Sequence, residues 1–166
     1  MPHIIRLRGP WDYEPLARFM TRADGSVSVT NDDLPPSGVI ELPGDWSNAL
    51  GTEFQGIVRF ERRFHRPSGL EAASHVWLVI DDVDWQAEVS LNDRVLGIVI
   101  CSQSSDPHQA MKCPARFDIT ALLSPQNWLS IVVTSPTLND CNTPLPRPGR
   151  TGQPGGLIGL VRLEIE

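Results

Sequence analysis

The sequence predicts an all-β fold, an antiparallel two-sheet sandwich of the jelly-roll kind, and three observations carry that prediction. The 13 glycines and 15 prolines concentrate in 34–51 and 144–159 and cut the chain into short segments with no room for long helices. Nine of those segments alternate in polarity or are rich in β-branched and aromatic residues, as strands are. No self-similarity recurs at a period of about 20–50 residues, which excludes a propeller or a solenoid.

The elements follow in order. IIRLR (4–8) opens as a strand, and EPLARFMTR (14–22) reads as two helical turns. GVIEL (38–42) is the next strand, followed by a Pro43-Gly44 turn before Trp46, whose indole can cover one end of the core. In GIVRFERRF (56–64), Val58, Phe60 and Phe64 face one way with Arg62, while Arg59, Glu61 and Arg63 face the other, the period of a strand with one buried face. HVWLVID (75–81) is apolar on both faces and suits a central strand covered on each side. AEVSLN (87–92) and RVLGIVI (94–100) meet at Asn92-Asp93, residue types that tolerate the left-handed backbone of a type I′ hairpin turn. ARFDI (115–119) is a strand, and DITALL (118–123) a single helical turn capped by Asp118 or Thr120. WLSIVVTS (128–135) and LIGLVRLEIE (157–166) complete the set, with Gly155-Gly156 letting the chain approach or bend into the last strand.

At 166 residues the chain is one domain, 1–166, large enough to bury roughly 70% of its unfolded surface. Its 14 basic and 20 acidic side chains leave a net charge of -6, with no basic run beyond Arg62-Arg63. That balance excludes nucleic acid and anionic membrane as partners. No stretch approaches about 18 consecutive apolar residues, and the start lacks the apolar core of a secretory signal, so a cytoplasmic location is expected. The three cysteines, 101, 113 and 141, show no CxxC spacing and read as free buried thiols. A Cys101–Cys113 bridge across SQSSDPHQAMK is the sharper alternative.

Chemistry-bearing motifs are absent: no GxSxG, HExxH, P-loop or GxGxxG. The histidines at 3, 65, 75 and 108 lie at no helical metal-binding spacing, and His65 reads as a surface residue at a strand end. Ser104 and His108 read as solvated loop residues rather than a nucleophile and base. Asp81, Asp82, Asp84 and Glu88 form the densest carboxylate group; a solvated loop is the plain reading, with a structural calcium site or a general acid/base pair as alternatives and no cofactor otherwise expected. Trp77 and Trp128 open strands and read as core or sheet-end packing, while Trp46 is equally suited to packing and to an aromatic binding platform. In TPLPRPGRTGQPGG (143–156), Arg147, Arg150 and Gln153 are long donors that can line a binding edge.

Taken together, LRGPW (7–11), LPGDW (42–46), FERRF (60–64), VWLVIDDVDWQAEVSLNDRVLG (76–97), RFDIT with NWLSIVV (116–133) and PGGLIGLVRLEI (154–165) resemble, in order and spacing, one known family. It is the amino-terminal sugar-binding jelly roll of glycoside hydrolase family 2, the β-galactosidase and β-glucuronidase group, a galactose-binding-domain-like fold. In those enzymes the catalytic glutamates belong to a neighbouring TIM barrel, so the resemblance implies a non-catalytic carbohydrate-binding module for weak galactoside or glucuronide binding, with docking to a catalytic domain or other protein. The family residue that reaches the pocket from this domain corresponds to Asp84, followed by Trp85. Asp84 is thus the implied hydroxyl contact, with Trp85 offering its face to the sugar ring and Trp46, Arg150 and Gln153 as further candidates. A second family contact is an acid near the last strand, but Gly159 and Leu160 stand where Arg and Asp would be. A structural or interaction sandwich that has lost the sugar site is the competing reading, and an enzyme built around the 101–113 loop a third.

Overall fold

The computed structural model describes residues 1–24, 26–101, 111–135 and 155–166. In chain order the strands are β1 (His3–Arg6), β2 (Trp11–Thr21), β3 (Val27–Thr30), β4 (Gly38–Ile40) and β5 (Gly44–Asp45), followed by the one-turn helix α1 (Ser47–Leu50). Next come β6 (Gly56–His65), β7 (Val76–Ile80), β8 (Gln86–Leu91), β9 (Arg94–Ile100), β10 (Met111–Lys112) and β11 (Ala115–Asp118). A 3-10 turn (Thr120–Leu122), β12 (Gln126–Thr134), β13 (Gly156–Leu157) and β14 (Val161–Ile165) complete the fold. One sheet has the order β1-β14-β7-β11, and the other β10-β9-β8-β12-β6-β2-β3 with β4 also paired to β2. The all-β sandwich expected from the sequence is the fold observed. Pairing is antiparallel apart from the parallel contact of β10 with β9.

The core lies between the sheets. Val58 and Phe60 of β6, Val89 and Leu91 of β8, and Leu129 and Ile131 of β12 meet Leu78 and Ile80 of β7 and Leu163 of β14, all at most 1% exposed. Each such side chain contributes about 1.5–3 kcal/mol through removal from water. The alternation predicted for 56–64 holds: Val58 and Phe60 point inward, while Arg59 and Glu61 pair with each other on the outer face at 3.2 Å.

Two expectations need correction. The segment 14–22 is not helical: residues 14–21 lie within β2, paired with β6, and the burial of β2 alternates from Trp11 through Tyr13, Pro15 and Ala17. Pro15 lacks a ladder N–H, and the register shifts between Pro15 and Ala17, a bulge that accommodates it. Secondly, β7 is central, but among the described residues no second layer covers its outer face. Val79 is only 4% exposed because Arg116 and Arg162 flank it in register, and Arg116 lies 4.1 Å over the Trp77 ring. Both guanidiniums are tied down, Arg116 to Glu166 at 2.6 Å and Arg162 to Glu164 at 2.9 Å and to Asp81, so their alkyl stems act as the cover. Of the two places the sequence allows Trp77 and Trp128, core or sheet end, both take the second, near the starts of β7 and β12. Trp128 is 39% exposed on the outer face of the larger sheet with Arg63 stacked at 4.1 Å.

The hairpin turn is as the sequence predicts, with Asn92 at φ 51° and Asp93 at φ 64°. Asn92 has a second task. Its amide donates to the Leu122 carbonyl and to Asn127 Oδ1, both at 3.0 Å, and its own oxygen accepts from the Trp128 backbone N–H at 2.8 Å. Asn127, 2% exposed, also bonds both backbone groups of Ser124 at 2.8 Å. This network joins the β8–β9 hairpin to the start of β12. Asn127→Ala strands several buried partners and is expected to lower unfolding free energy by about 2–3 kcal/mol, measurable by urea denaturation.

Asp118 accepts from the Thr120 backbone N–H at 3.0 Å and hydroxyl at 2.6 Å, fixing the 3-10 turn much as the predicted cap would. Those two hydrogen bonds, with a lesser contribution from His75, hold its carboxyl below the ordinary value. A depressed folded-state pKa adds stability above the unfolded value of about 3.9, and that stability is lost as pH falls through the folded value. The melting-temperature gap between the parent and Asp118→Asn is therefore expected to be widest near neutrality and to close below about pH 4.

Candidate functional site

The candidate residues converge at the end of the sandwich where β7 passes into β8. Residues 81–85 carry no regular structure of their own and are fixed by the returning C-terminal segment. Asp81 N–H donates to the Leu160 carbonyl at 3.0 Å, Gly159 N–H to the Asp82 carbonyl at 2.9 Å, and Asp84 N–H to the Gly156 carbonyl at 3.1 Å. From the other side Cys101 N–H donates to the Trp85 carbonyl at 2.9 Å. Val83 is fully buried, Asp84 3% exposed and Trp85 half-buried.

Trp46 lies beneath this segment. Its indole Nε1–H donates to the Phe54 carbonyl at 3.2 Å, and its ring stacks at 6.4 Å on Phe60 and meets Phe54 edge-on at 5.6 Å. It is fully buried, so the indole forms the floor of the region and presents no open face. β13 pairs with β5, and Trp46 N–H donates to the Gly155 carbonyl at 3.0 Å, which draws residue 155 across the ring. A Cβ on Gly155 would sit 2.5 Å from Trp46 Cζ2 and 3.0 Å from Asp84 Oδ2. Glycine is thus what lets tryptophan, carboxylate and backbone meet there.

The four clustered carboxylates do not converge. Asp81 pairs with Arg162, Asp82 Oδ1 accepts from the Val83 N–H at 3.0 Å, Asp84 turns inward, and Glu88 lies exposed on β8. Among the described residues no group of three or more His, Cys, Asp or Glu side chains is placed to hold a metal ion, and no helix is long and apolar enough to cross a membrane. Arg150, Gln153, Arg147, Ser104, His108 and Cys141 lie outside the described residues. Cys101 and Cys113 are reduced and buried.

At Gly159, where the resemblance calls for an arginine, a Cβ would overlap the Asp82 backbone nitrogen. The tight approach of 159–160 to 81–82 therefore occupies the space a long side chain would need. Sequence reasoning treated Gly159 only as a missing donor; its packing role leaves no local signal. A second feature it missed is a polar cleft between β4 and α1, lined by Tyr13, Glu41, Asp45, Ser47 and Asn48.

Comparisons with known proteins agree on the fold. The family model described as "Glycosyl hydrolase 2 galactose-binding domain-like" matches residues 28–153. No curated protein sequence matches the chain. Among solved structures, the FMN-binding β-glucuronidase of Faecalibacterium prausnitzii L2-6 superposes with a TM-score of 0.68 at 19% identity, over 99% of this chain and 22% of that one. The Bifidobacterium dentium β-glucuronidase complexed with coumarin-3-O-glucuronide gives 0.63 at 23% identity, over 99% and 30%. A β-galacturonidase from Eisenbergiella tayi bound to galacturonate gives 0.64 at 18% identity, over 99% and 24%. The chain thus spans less than a third of each of these structures.

The close contacts predict the cost of changing them. Gly155→Ala and Gly159→Ala are each expected to lose about 2–4 kcal/mol of stability, because rigid ring or backbone atoms stand where the methyl would go. Gly44→Ala, with nothing near its Cβ position, is the control and is expected to change by under about 1 kcal/mol in the same denaturation series.

Proposed function

Since the chain belongs to the galactose-binding-domain-like family of glycosyl hydrolase 2, we propose that it is a non-catalytic carbohydrate-binding domain that presents Asp84 and Trp85 to a galactoside or glucuronide. The observation that carries this reading is Asp84 itself. A carboxylate at 3% exposure is costly to bury and is fixed by its backbone bond to Gly156 and its packing against Gly155 and Trp46. Such investment in one ionisable group at the end of a sandwich favours a binding role over a packing one. An ionised carboxylate accepts paired hydrogen bonds from vicinal hydroxyls, and the half-buried Trp85 offers an apolar face to the C–H side of a pyranose. Arg150 and Gln153 are proposed to contribute donors from the following segment, and Trp46 to support the site from below. Affinity in the millimolar range, about -4 kcal/mol, is expected, with tighter binding when a catalytic domain docks beside the site. Cytoplasmic placement is part of the same proposal.

A second reading, a structural or protein-interaction sandwich without a sugar site, is favoured by the closed approach at Gly159, which takes the space of a long side chain. Ligand-observed NMR with a panel of mono- and oligosaccharides separates the two. Saturation transfer to a glucuronide or galactoside that disappears in folded Asp84→Ala and Trp85→Ala variants is the expected result. A silent panel with well-folded parent protein overturns the sugar-binding reading in favour of the second.

A further inference from the structure

Cys101 and Cys113 are both buried, at 0% and 4% exposure, and both are reduced. Their relation follows from the parallel pairing of β10 with β9, which sets Met111 opposite Val99 and Lys112 opposite Ile100. Cys113 and Cys101 are the residues that follow this last rung on each strand, and the Cys113 N–H donates to the Ile100 carbonyl at 2.9 Å, which keeps the two chains side by side there. Neighbouring strands lie about 4.8 Å apart. That spacing falls inside the roughly 4.4–6.8 Å Cα window of a disulfide. The thiols also lie near enough to influence one another: burial above all pushes the Cys113 thiol up to about 11, and Cys101 adds to the effect.

The pair is anchored to the segment that carries Asp84 and Trp85. Cys101 N–H holds the Trp85 carbonyl, and the Cys113 thiol lies against the Val83 backbone. Residues 83 and 85 therefore rest on one cysteine each.

We propose that Cys101 and Cys113 form a redox pair that closes into a disulfide with an oxidant of the glutathione-disulfide class and resets the backbone of residues 83–85. One cysteine thiolate attacks the oxidant's disulfide and releases one glutathione; the second attacks the resulting mixed disulfide and releases the other. Two electrons pass from the dithiol to the oxidant, one S–S bond forms as one breaks, and the two thiol protons end on the two released glutathiones. The inference holds whether or not the segment binds a sugar.

The test uses the full chain, reduced and then equilibrated with glutathione disulfide, blocked with N-ethylmaleimide in denaturant and digested with trypsin without reduction. Cleavage after Arg94, Lys112 and Arg116 puts Cys101 in peptide 95–112 and Cys113 in peptide 113–116. The expected product is those two peptides joined, absent in Cys101→Ser and Cys113→Ser and reversed by dithiothreitol. In the same sample the backbone amide signals of Val83 and Trp85 are expected to shift on oxidation and return on reduction. Full maleimide labelling of both cysteines after oxidation, or a bridge to Cys141 in place of this one, overturns the pairing. A bridge that leaves the Val83 and Trp85 amides unmoved overturns the coupling.

Discussion

Close backbone contact between the C-terminal segment and residues 44–46 and 81–84 is the constraint on which the rest of this domain depends. Gly155 touches the Trp46 ring and the Asp84 carboxylate, Gly156 accepts from Asp84 N–H, and Gly159 lies against the Asp82 backbone. None of these contacts tolerates a side chain at the glycine. Through them one short stretch closes the end of the sandwich, pairs with β5 and delivers β14 to its place between β1 and β7. The cost is backbone entropy lost at several glycines. The gain is an irregular segment, 81–85, held by main-chain bonds on two sides.

Apolar and polar interactions divide the labour elsewhere. The Trp46, Phe54 and Phe60 cluster supplies area and aromatic contact at one end of the core. At the other end the Asn92–Asn127 pair supplies direction, because an amide network with most of its groups bonded accepts one arrangement of the hairpin against β12. On the outer face of the smaller sheet, arginine stems pinned by carboxylates flank Val79 and hold it at 4% exposure, while Ile4 on the edge strand is 45% exposed.

How much of this was legible in the sequence depended on how local the determinant is. The Asn92-Asp93 turn and the alternation of 56–64 are written in adjacent residues, and both were readable. β2 was hidden because Glu14, Leu16, Ala17 and Arg18 are good helix formers and Pro15 argues against a strand; pairing with β6 and a bulge overrode both signals. The outer cover of β7 was unreadable because Arg116 and Arg162 count as polar in any pattern while their stems behave as apolar. Asp84 was found through resemblance, but its burial depends on glycines some seventy residues further along. No window of neighbouring residues records that contact.

The pairing of β1 with β14 sets His3 opposite Ile165 and Arg6 opposite Arg162, so the polypeptide enters and leaves the sandwich at one corner. Tension applied through those two ends loads the ladder as a zipper, one rung at a time, rather than in shear across all rungs together. Most of β1 is exposed, and the buried core begins at Leu7. A mechanical pull would therefore peel away the first strand at low force and leave the two-layer interior standing, which makes this corner a tolerant place for splicing the domain into a longer chain.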